Sequence, residues 1–256
     1  MNIGISTACF YPKLTEEAFE ALANRGVDVV ELFFNSPSEL EDDFLSKIVE
    51  IKNRSNVKIK SIHPFTGGWE PFLLFSNYFR RFEDGLTIYQ RYFKTAKRLG
   101  ADIVVLHGGK NSICDEEYFD RYYKLQQIAK RYNIILAQEN VNLFKSQDID
   151  FIKKMKSSLK TEVKFVFDIK QAIRADQDPY EMCRAMGENL VHVHINDYNK
   201  VCGCVLPLDG EIDYIKLRGI LEENKYNGDL IIEVYNDCYK NLDEIINSCH
   251  NLKNIF

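Results

Sequence analysis

The sequence predicts a single (β/α)₈ barrel, also called a TIM barrel, that extends over residues 1–256. Three observations lead to this fold class: a length close to the roughly 250 residues typical of such barrels, eight short apolar runs, and amphipathic stretches between them. With 45% hydrophobic and 28% charged residues, the chain can form one large core and is not disordered. No linker-like segment interrupts the alternation, so we expect one domain.

The eight apolar runs are predicted to be strands. Each is nearly continuous and rich in β-branched residues, which is typical of parallel strands that are buried on both faces. The predicted strands are residues 2–7, 27–34, 57–63, 102–107, 134–139, 163–168, 190–195 and 229–235.

Helices are predicted between the strands from their start and stop signals. Thr15 and two acids begin the first helix, with Thr15 as its cap residue, and Gly26 ends it. Asp178-Pro179 begins another helix, which ends at Gly187. Further helices are predicted at residues 78–99, 115–132, 213–224 and 242–252. An open, doubly wound sheet is the competing fold, but residues 6–10 lack the glycines of its phosphate-binding loop.

Ionisable residues lie in or at the ends of seven of the predicted strands. Because the carboxyl ends of the strands share one face of a barrel, these residues converge on the face where such barrels place their active sites. Buried carboxylates and imidazoles are costly unless they are paired or bind a metal. The residues are Glu31, His63, His107, Glu139, Asp168, His194 and Glu233.

A divalent cation would compensate this cluster of charges. We expect its ligands to be Glu139, Asp168, His194 and Glu233. Three carboxylates and one imidazole form an oxygen-rich set, so we expect Mn²⁺, Mg²⁺ or Co²⁺ in preference to Zn²⁺. For His63 and His107, a structural role and a substrate contact are both left open.

Motifs around these residues resemble the xylose-isomerase-like TIM-barrel superfamily. That superfamily contains sugar isomerases and epimerases, related dehydratases and the type IV apurinic-site endonucleases. The resemblance covers essentially the whole chain. Its motifs are Val-Glu31-Leu, Ser-Ile-His63-Pro-Phe, Val-Leu-His107-Gly-Gly, Ala-Gln-Glu139-Asn140, Phe-Asp168, His192-Val-His194-Ile-Asn-Asp197 and Ile-Ile-Glu233-Val-Tyr.

The resemblance implies the chemistry of a sugar isomerase. It gives the four metal ligands named above and makes Glu139 and Glu233 an acid/base pair that moves a proton through an enediolate. The family commonly has a histidine three residues after the Asp of strand six, where this chain has Gln171. Gln171 can form hydrogen bonds but cannot act as an acid, and the adjacent Lys170 is the alternative charged group.

The remaining substrate contacts are expected in the loops. Residues 64–72, which contain two glycines and the single tryptophan, Trp69, have the composition of a lid or of a packed surface loop. Phe10, after strand one, is expected to form part of an apolar wall for the sugar.

Four functions follow, and we expect the first. It is a divalent-metal-dependent isomerase or epimerase of a sugar, a sugar phosphate or a polyol derivative. The others are a keto-polyol dehydratase that uses the same site, a DNA phosphodiesterase like endonuclease IV, and a non-catalytic sugar- or metal-binding barrel. The net charge of −5 and the presence of Cys202 and Cys204, where the endonucleases have Asp-x-His, disfavour DNA as a partner.

Composition also sets expectations about location and partners. The first residues lack a signal peptide, and no apolar run is long enough to span a membrane. Seven scattered cysteines indicate reduced thiols and a cytoplasmic protein. The expected partner is a small sugar; a homo-oligomer is left open.

Overall fold

The structure is a computed structural model that describes residues 1–159 and 161–256. Eight parallel strands within these residues form a closed barrel in the order β1 to β8, and β8 pairs with β1. The strands are β1 Ile3–Ser6, β2 Val29–Phe33, β3 Lys58–His63, β4 Ile103–Leu106, β5 Ile135–Glu139, β6 Lys164–Asp168, β7 Leu190–Ile195 and β8 Leu230–Ile232. The predicted (β/α)₈ fold is therefore confirmed.

The strands lie within the predicted runs but most are shorter. β4 ends before His107 and β8 ends before Glu233. Both residues are thus the first positions outside the sheet, where a side chain can reach the mouth of the barrel.

Helices occupy the connections between strands and surround the barrel. Within the described residues they are α1 Thr15–Asn24, α2 Asp42–Ser55, α3 Glu70–Leu73, α4 Phe79–Leu99, α5 Asp115–Arg131, α6 Ile149–Ser158, α7 Ile169–Arg174, α8 Pro179–Met186, α9 Tyr214–Glu223 and α10 Leu242–Leu252. Asp178 and Asp213 cap α8 and α9 through their side chains, as is typical of helix N-termini. None of these helices has the length and hydropathy needed to cross a bilayer.

One predicted cap was wrong. The cap position of α1 is Leu14, and Thr15 is the first helical residue. The Thr15 hydroxyl instead lies 3.1 Å from two acceptors, the Phe33 carbonyl at the end of β2 and Glu39 Oε1.

The interior of the barrel changes from apolar to polar along its axis. Ile103, Val105, Ala137 and Val166 form a small apolar cluster of their own. Side chains two positions apart on a strand point the same way. Glu139 follows Ala137 and Asp168 follows Val166 at that spacing, so both carboxylates point into the barrel above the apolar cluster.

Candidate metal centre

Four strands bring the predicted metal ligands together. Glu139, Asp168, His194 and Glu233 are all buried, and each offers one donor atom within 4.8 Å of the donors of the others. His194 Nδ1 lies 3.2 Å from a Glu139 oxygen, 3.2 Å from a Glu233 oxygen and 3.8 Å from Asp168 Oδ2. One imidazole nitrogen therefore faces three carboxylates.

Glu31 holds the opposite edge of this imidazole. Its Oε2 lies 3.1 Å from His194 Nε2 and 3.0 Å from His192 Nε2, and it accepts a 2.7 Å hydrogen bond from Ser61. Ser6 donates to the other oxygen, Oε1, at 3.1 Å. Glu31 thus orients His194. The sequence showed Glu31 on a strand, but it did not show which residue Glu31 contacts.

Two asparagines fix Asp168. The Asn140 side chain pairs with the backbone of Asp168 in both directions, at 2.9 and 2.8 Å. Asn196 donates to Asp168 Oδ1 at 3.0 Å. Neither asparagine has a role assigned from the sequence, although both occur in the quoted motifs, directly after Glu139 and two residues after His194.

The donor set fits a divalent cation. Asp168 Oδ2 is buried and accepts no hydrogen bond from the described residues, and its nearest positive charge is the Lys170 ammonium at 3.4 Å. Burial alone would lower the pKa of His194, but the Glu31 and Glu233 carboxylates hold it well above its usual range. This raised pKa reflects the attraction of the carboxylates for positive charge. In addition, a set of three carboxylate oxygens and one imidazole nitrogen suits a hard or borderline divalent metal.

His63 and His107 both lie close to Glu139 Oε2, the carboxylate oxygen that does not face His194. His107 Nε2 lies 2.9 Å from Glu139 Oε2 and 3.0 Å from His63 Nε2, and His63 Nε2 is 3.6 Å from the same oxygen. Burial would lower the pKa of His107, but Glu139 raises it to about 9. The two histidines and Glu139 form a second group that could hold a metal and share Glu139 with the first.

Lys170 and Gln171 come from the first turn of α7, directly after Asp168. The buried Lys170 ammonium lies 3.2 Å from Glu233 Oε2 and 3.4 Å from Asp168 Oδ2. Gln171 accepts a 3.1 Å hydrogen bond from the Asn142 amide. Both side chains line the cavity above the donor group.

This cavity has a volume of about 350 Å³. The cavity is lined by polar side chains at its base and by aromatic rings at its sides. Asp168 and His194 lie below the polar side chains and do not line the cavity. The lining residues are Ala8, Tyr11, Phe33, Asn35, His63, His107, Glu139, Lys170, Gln171, Glu233, Val234 and Tyr235.

Two predicted substrate contacts are not brought to the cavity. Phe10 packs edge-on against Tyr239. Trp69 packs against Phe65 and is 60% exposed. The aromatic lining comes from Tyr11, Phe33 and Tyr235 instead.

The segment containing Trp69 is attached to the barrel through Glu70. This buried carboxylate accepts hydrogen bonds from the Tyr89 hydroxyl and from the Gly108 amide, next to His107. Burial raises the pKa of Glu70, while the nearby His107 opposes the increase. The backbone of Gly67 also lies against His107, since a Cβ added at Gly67 would collide with the His107 ring. The sequence offered no signal for Glu70 beyond its place in this loop.

Asp197 organises the loop after β7. It accepts hydrogen bonds from the amides of Tyr198, Leu208 and Ile212. Leu208 has a φ of 77°, a left-handed conformation that favours glycine.

The chain belongs to the xylose isomerase-like TIM barrel family, whose model matches residues 19–255. Its curated relatives include an uncharacterized protein of Mycobacterium leprae, 25% identical over 82% of this chain and 77% of that protein. An uncharacterized protein of Mycobacterium tuberculosis is 24% identical over the same shares.

Solved structures of the same fold include an epimerase-like protein, a zinc-binding protein and a probable dehydratase. A D-tagatose 3-epimerase-like protein is 22% identical with a TM-score of 0.82, covering 100% of this chain and 97% of that one. The zinc-containing IolI protein is 17% identical with a TM-score of 0.79, over 100% and 99%. The probable 3-DHS dehydratase AsbF of Bacillus anthracis is 13% identical with a TM-score of 0.75, over 99% and 98%. At these identities the likeness shows the fold.

Proposed function

We propose that this protein is a divalent-metal-dependent isomerase or epimerase of a sugar, a sugar phosphate or a polyol derivative. One observation carries the proposal: Glu139 and Glu233 each lie 3.2 Å from the same His194 nitrogen and both line the cavity. A substrate above this centre would meet one carboxylate on each side, as proton transfer between neighbouring carbons requires.

Glu139, Asp168, His194 and Glu233 would hold the cation. When bound, it would polarise the substrate oxygens and stabilise the negative charge of the enediolate. One of the two glutamates removes the proton from carbon, and the other returns a proton to the neighbouring carbon or to the opposite face. Asn140 and Asn196 keep Asp168 in place during this transfer.

The remaining cavity residues would bind and orient the sugar. His63, His107, Lys170 and Gln171 present hydrogen-bonding groups to the cavity, and Tyr11, Phe33 and Tyr235 give it an apolar side. A sugar ring has polar edges and a less polar face, which matches this division. Trp69 and Phe10 would contact the substrate only if their segments moved.

A dehydratase is the second candidate, because a neighbour of the same fold is a probable dehydratase. Loss of water from a keto-polyol begins with the same removal of a proton from carbon. After this step an isomerase returns a proton to the substrate, whereas a dehydratase releases water. Analysis of the product therefore distinguishes the two candidates.

The test combines metal analysis with isotope exchange. We expect a Mn²⁺-, Co²⁺- or Mg²⁺-loaded protein to incorporate solvent deuterium into one or more members of a panel of keto- and aldo-sugars, without loss of water. Loss of water would establish the dehydratase. Absence of metal binding under all loading conditions would contradict both.

Variants then test the acid/base pair. Glu139→Gln and Glu233→Gln should each abolish exchange. The matched control is Glu39→Gln, a buried glutamate that does not line the cavity. The glutamine keeps an oxygen that can accept from Thr15 or from the amide of the cavity residue Asn35. Exchange that survives both active-site changes would refute the assignment of the glutamates.

The same preparation separates the less favoured functions. Incision of DNA containing an apurinic site would indicate the phosphodiesterase. A metal content of two or more per chain would indicate a second site, for which His63, His107 and Glu139 are candidate ligands. Tight sugar binding without exchange would indicate a binding protein. All seven cysteines are free, which supports a reducing, cytoplasmic location as part of this proposal.

A further inference from the structure

Lys170 places a positive charge at the candidate metal centre. Its ammonium contacts Glu233 Oε2 at 3.2 Å and Asp168 Oδ2 at 3.4 Å. These are the same oxygens that face His194 Nδ1, at 3.2 and 3.8 Å. The ammonium therefore uses two of the donor atoms that a metal would use.

The surroundings keep the ammonium in this position. Lys170 is only 4% exposed, and its Nζ lies 5.0 Å from the centre of the Tyr235 ring, which covers it from the other side. Its backbone belongs to the first turn of α7, two residues after Asp168. A charged group so placed cannot turn into solvent without leaving two carboxylates behind.

We propose that Lys170 is the counter-ion of the metal-free centre and that it weakens metal binding by competing for Asp168 and Glu233. This inference rests on the proposed function, since it needs the four-residue metal site. A cation entering the site takes over two oxygens that the ammonium neutralises, and it does so a few ångströms from a fixed positive charge.

The competition makes a directional prediction for the affinity of the site. Removing the ammonium eliminates repulsion of the metal and leaves two carboxylates without their counter-ion, and both effects favour the bound state. Lys170→Met should therefore bind Mn²⁺ at least about tenfold more tightly than the wild type. If Lys170 had only a structural role, Lys170→Met would bind Mn²⁺ more weakly than the wild type, because loss of the side chain would disorder the site.

The experiment measures the Kd of Mn²⁺ by calorimetry on the full chain after removal of metal with a chelator. Lys170→Arg keeps the charge and should bind no more tightly than the wild type. The matched control is Lys145→Met, which removes another largely buried lysine that pairs with Asp115 away from the donor group. It should bind like the wild type.

A second measurement covers the case in which Lys170→Met is unstable without metal. Mn²⁺ should then raise the Tm of Lys170→Met by more than it raises that of the wild type, because a tighter ligand stabilises more at equal concentration. Equal or weaker binding by Lys170→Met, or an equal or smaller Tm increase, would overturn the role of Lys170 while leaving the proposed function intact. Absence of Mn²⁺ binding in both proteins would overturn the metal site itself.

Discussion

His194 Nε2 lies 3.1 Å from Glu31 Oε2, and this contact turns the other ring nitrogen, Nδ1, towards the three carboxylates. The two residues are 163 positions apart in the chain. A carboxylate behind a metal-binding imidazole fixes its orientation and its tautomer. Glu31 is therefore placed to determine the geometry of the whole centre.

Replacing Glu31 should weaken metal binding without removing a ligand. We expect Glu31→Gln to lower the affinity for Mn²⁺ by about 10- to 100-fold, because the amide orients the imidazole less strongly. Calorimetric titration measures this, and Glu39→Gln, another buried glutamate, should leave the affinity unchanged. An unaltered affinity in Glu31→Gln would show that His194 is held by other contacts.

Gly67 and Gly68 form a pair for testing the position of His107. A Cβ at Gly67 would collide with the His107 ring, whereas one at Gly68 would meet no atom of the described side chains and backbone within 4 Å. Gly67→Ala should therefore lower kcat/KM by about 10- to 100-fold through misplacement of His107, and Gly68→Ala should leave it near the wild-type value. Steady-state kinetics on the substrate found by isotope exchange distinguish the two. Equal effects of the two changes would mean that the loop tolerates the added methyl group.

The backbone conformation of Leu208 is expected to lower the free energy of unfolding. A non-glycine residue at a φ of 77° is strained, so Leu208→Gly should increase the free energy of unfolding by about 1 kcal/mol. The hydrogen bond from its amide to Asp197 is unaffected by the change. Urea unfolding provides the measurement. As a control, Ile215→Gly, at an exposed position within α9, should instead lower stability by about 0.5–1 kcal/mol. If Leu208→Gly were destabilised as well, packing of the leucine side chain would outweigh the strain.

Asp115 should make the free energy of unfolding depend on pH under acidic conditions. Hydrogen bonds from Lys145 and Lys154 hold its pKa below its ordinary value. A carboxyl with a lowered pKa stabilises the fold above the unfolded-state pKa of about 3.9, and this contribution disappears as the pH falls through the folded-state value. Asp115→Asn should lose about 0.5–1 kcal/mol at pH 7, a size set by partial solvent exposure.

The loss in Asp115→Asn should shrink towards zero as the pH approaches 2. Urea unfolding at a series of pH values measures it, with the exposed Asp209→Asn as the control. A loss that is independent of pH would point to helix capping or packing as the cause.

Trp69 can report whether its segment acts as a lid. It is the single tryptophan of the chain and is 60% exposed. Closure over a bound sugar would bury the indole, so saturating substrate should shift the fluorescence emission to shorter wavelength. The Trp69→Phe variant gives the background signal. Emission that stays unchanged while the sugar binds would show that the segment remains where Glu70 holds it.

The sequence by itself determined the barrel and the chain positions of the candidate ligands. Eight apolar runs with ionisable residues at their ends suffice for this, because parallel strands that close into a barrel must place those ends on one face. Glu139, Asp168, His194 and Glu233 were predicted in this way, because the face of the barrel on which they lie depends on strand order alone.

Only the tertiary structure decided which side chains touch. Pairing between β2 and β3 shifts at Val30 and Glu31, so that Glu31 lies opposite Ser61 and Lys60 is left out of the register. That local irregularity brings Glu31 to Ser61 and His194, and no periodicity in the sequence encodes it. Similarly, the path of residues 64–73 puts Glu70 against Gly108 and leaves Trp69 outside the cavity. Strand order follows from local patterns, whereas side-chain contacts depend on register and loop geometry, which arise only when distant segments pack together.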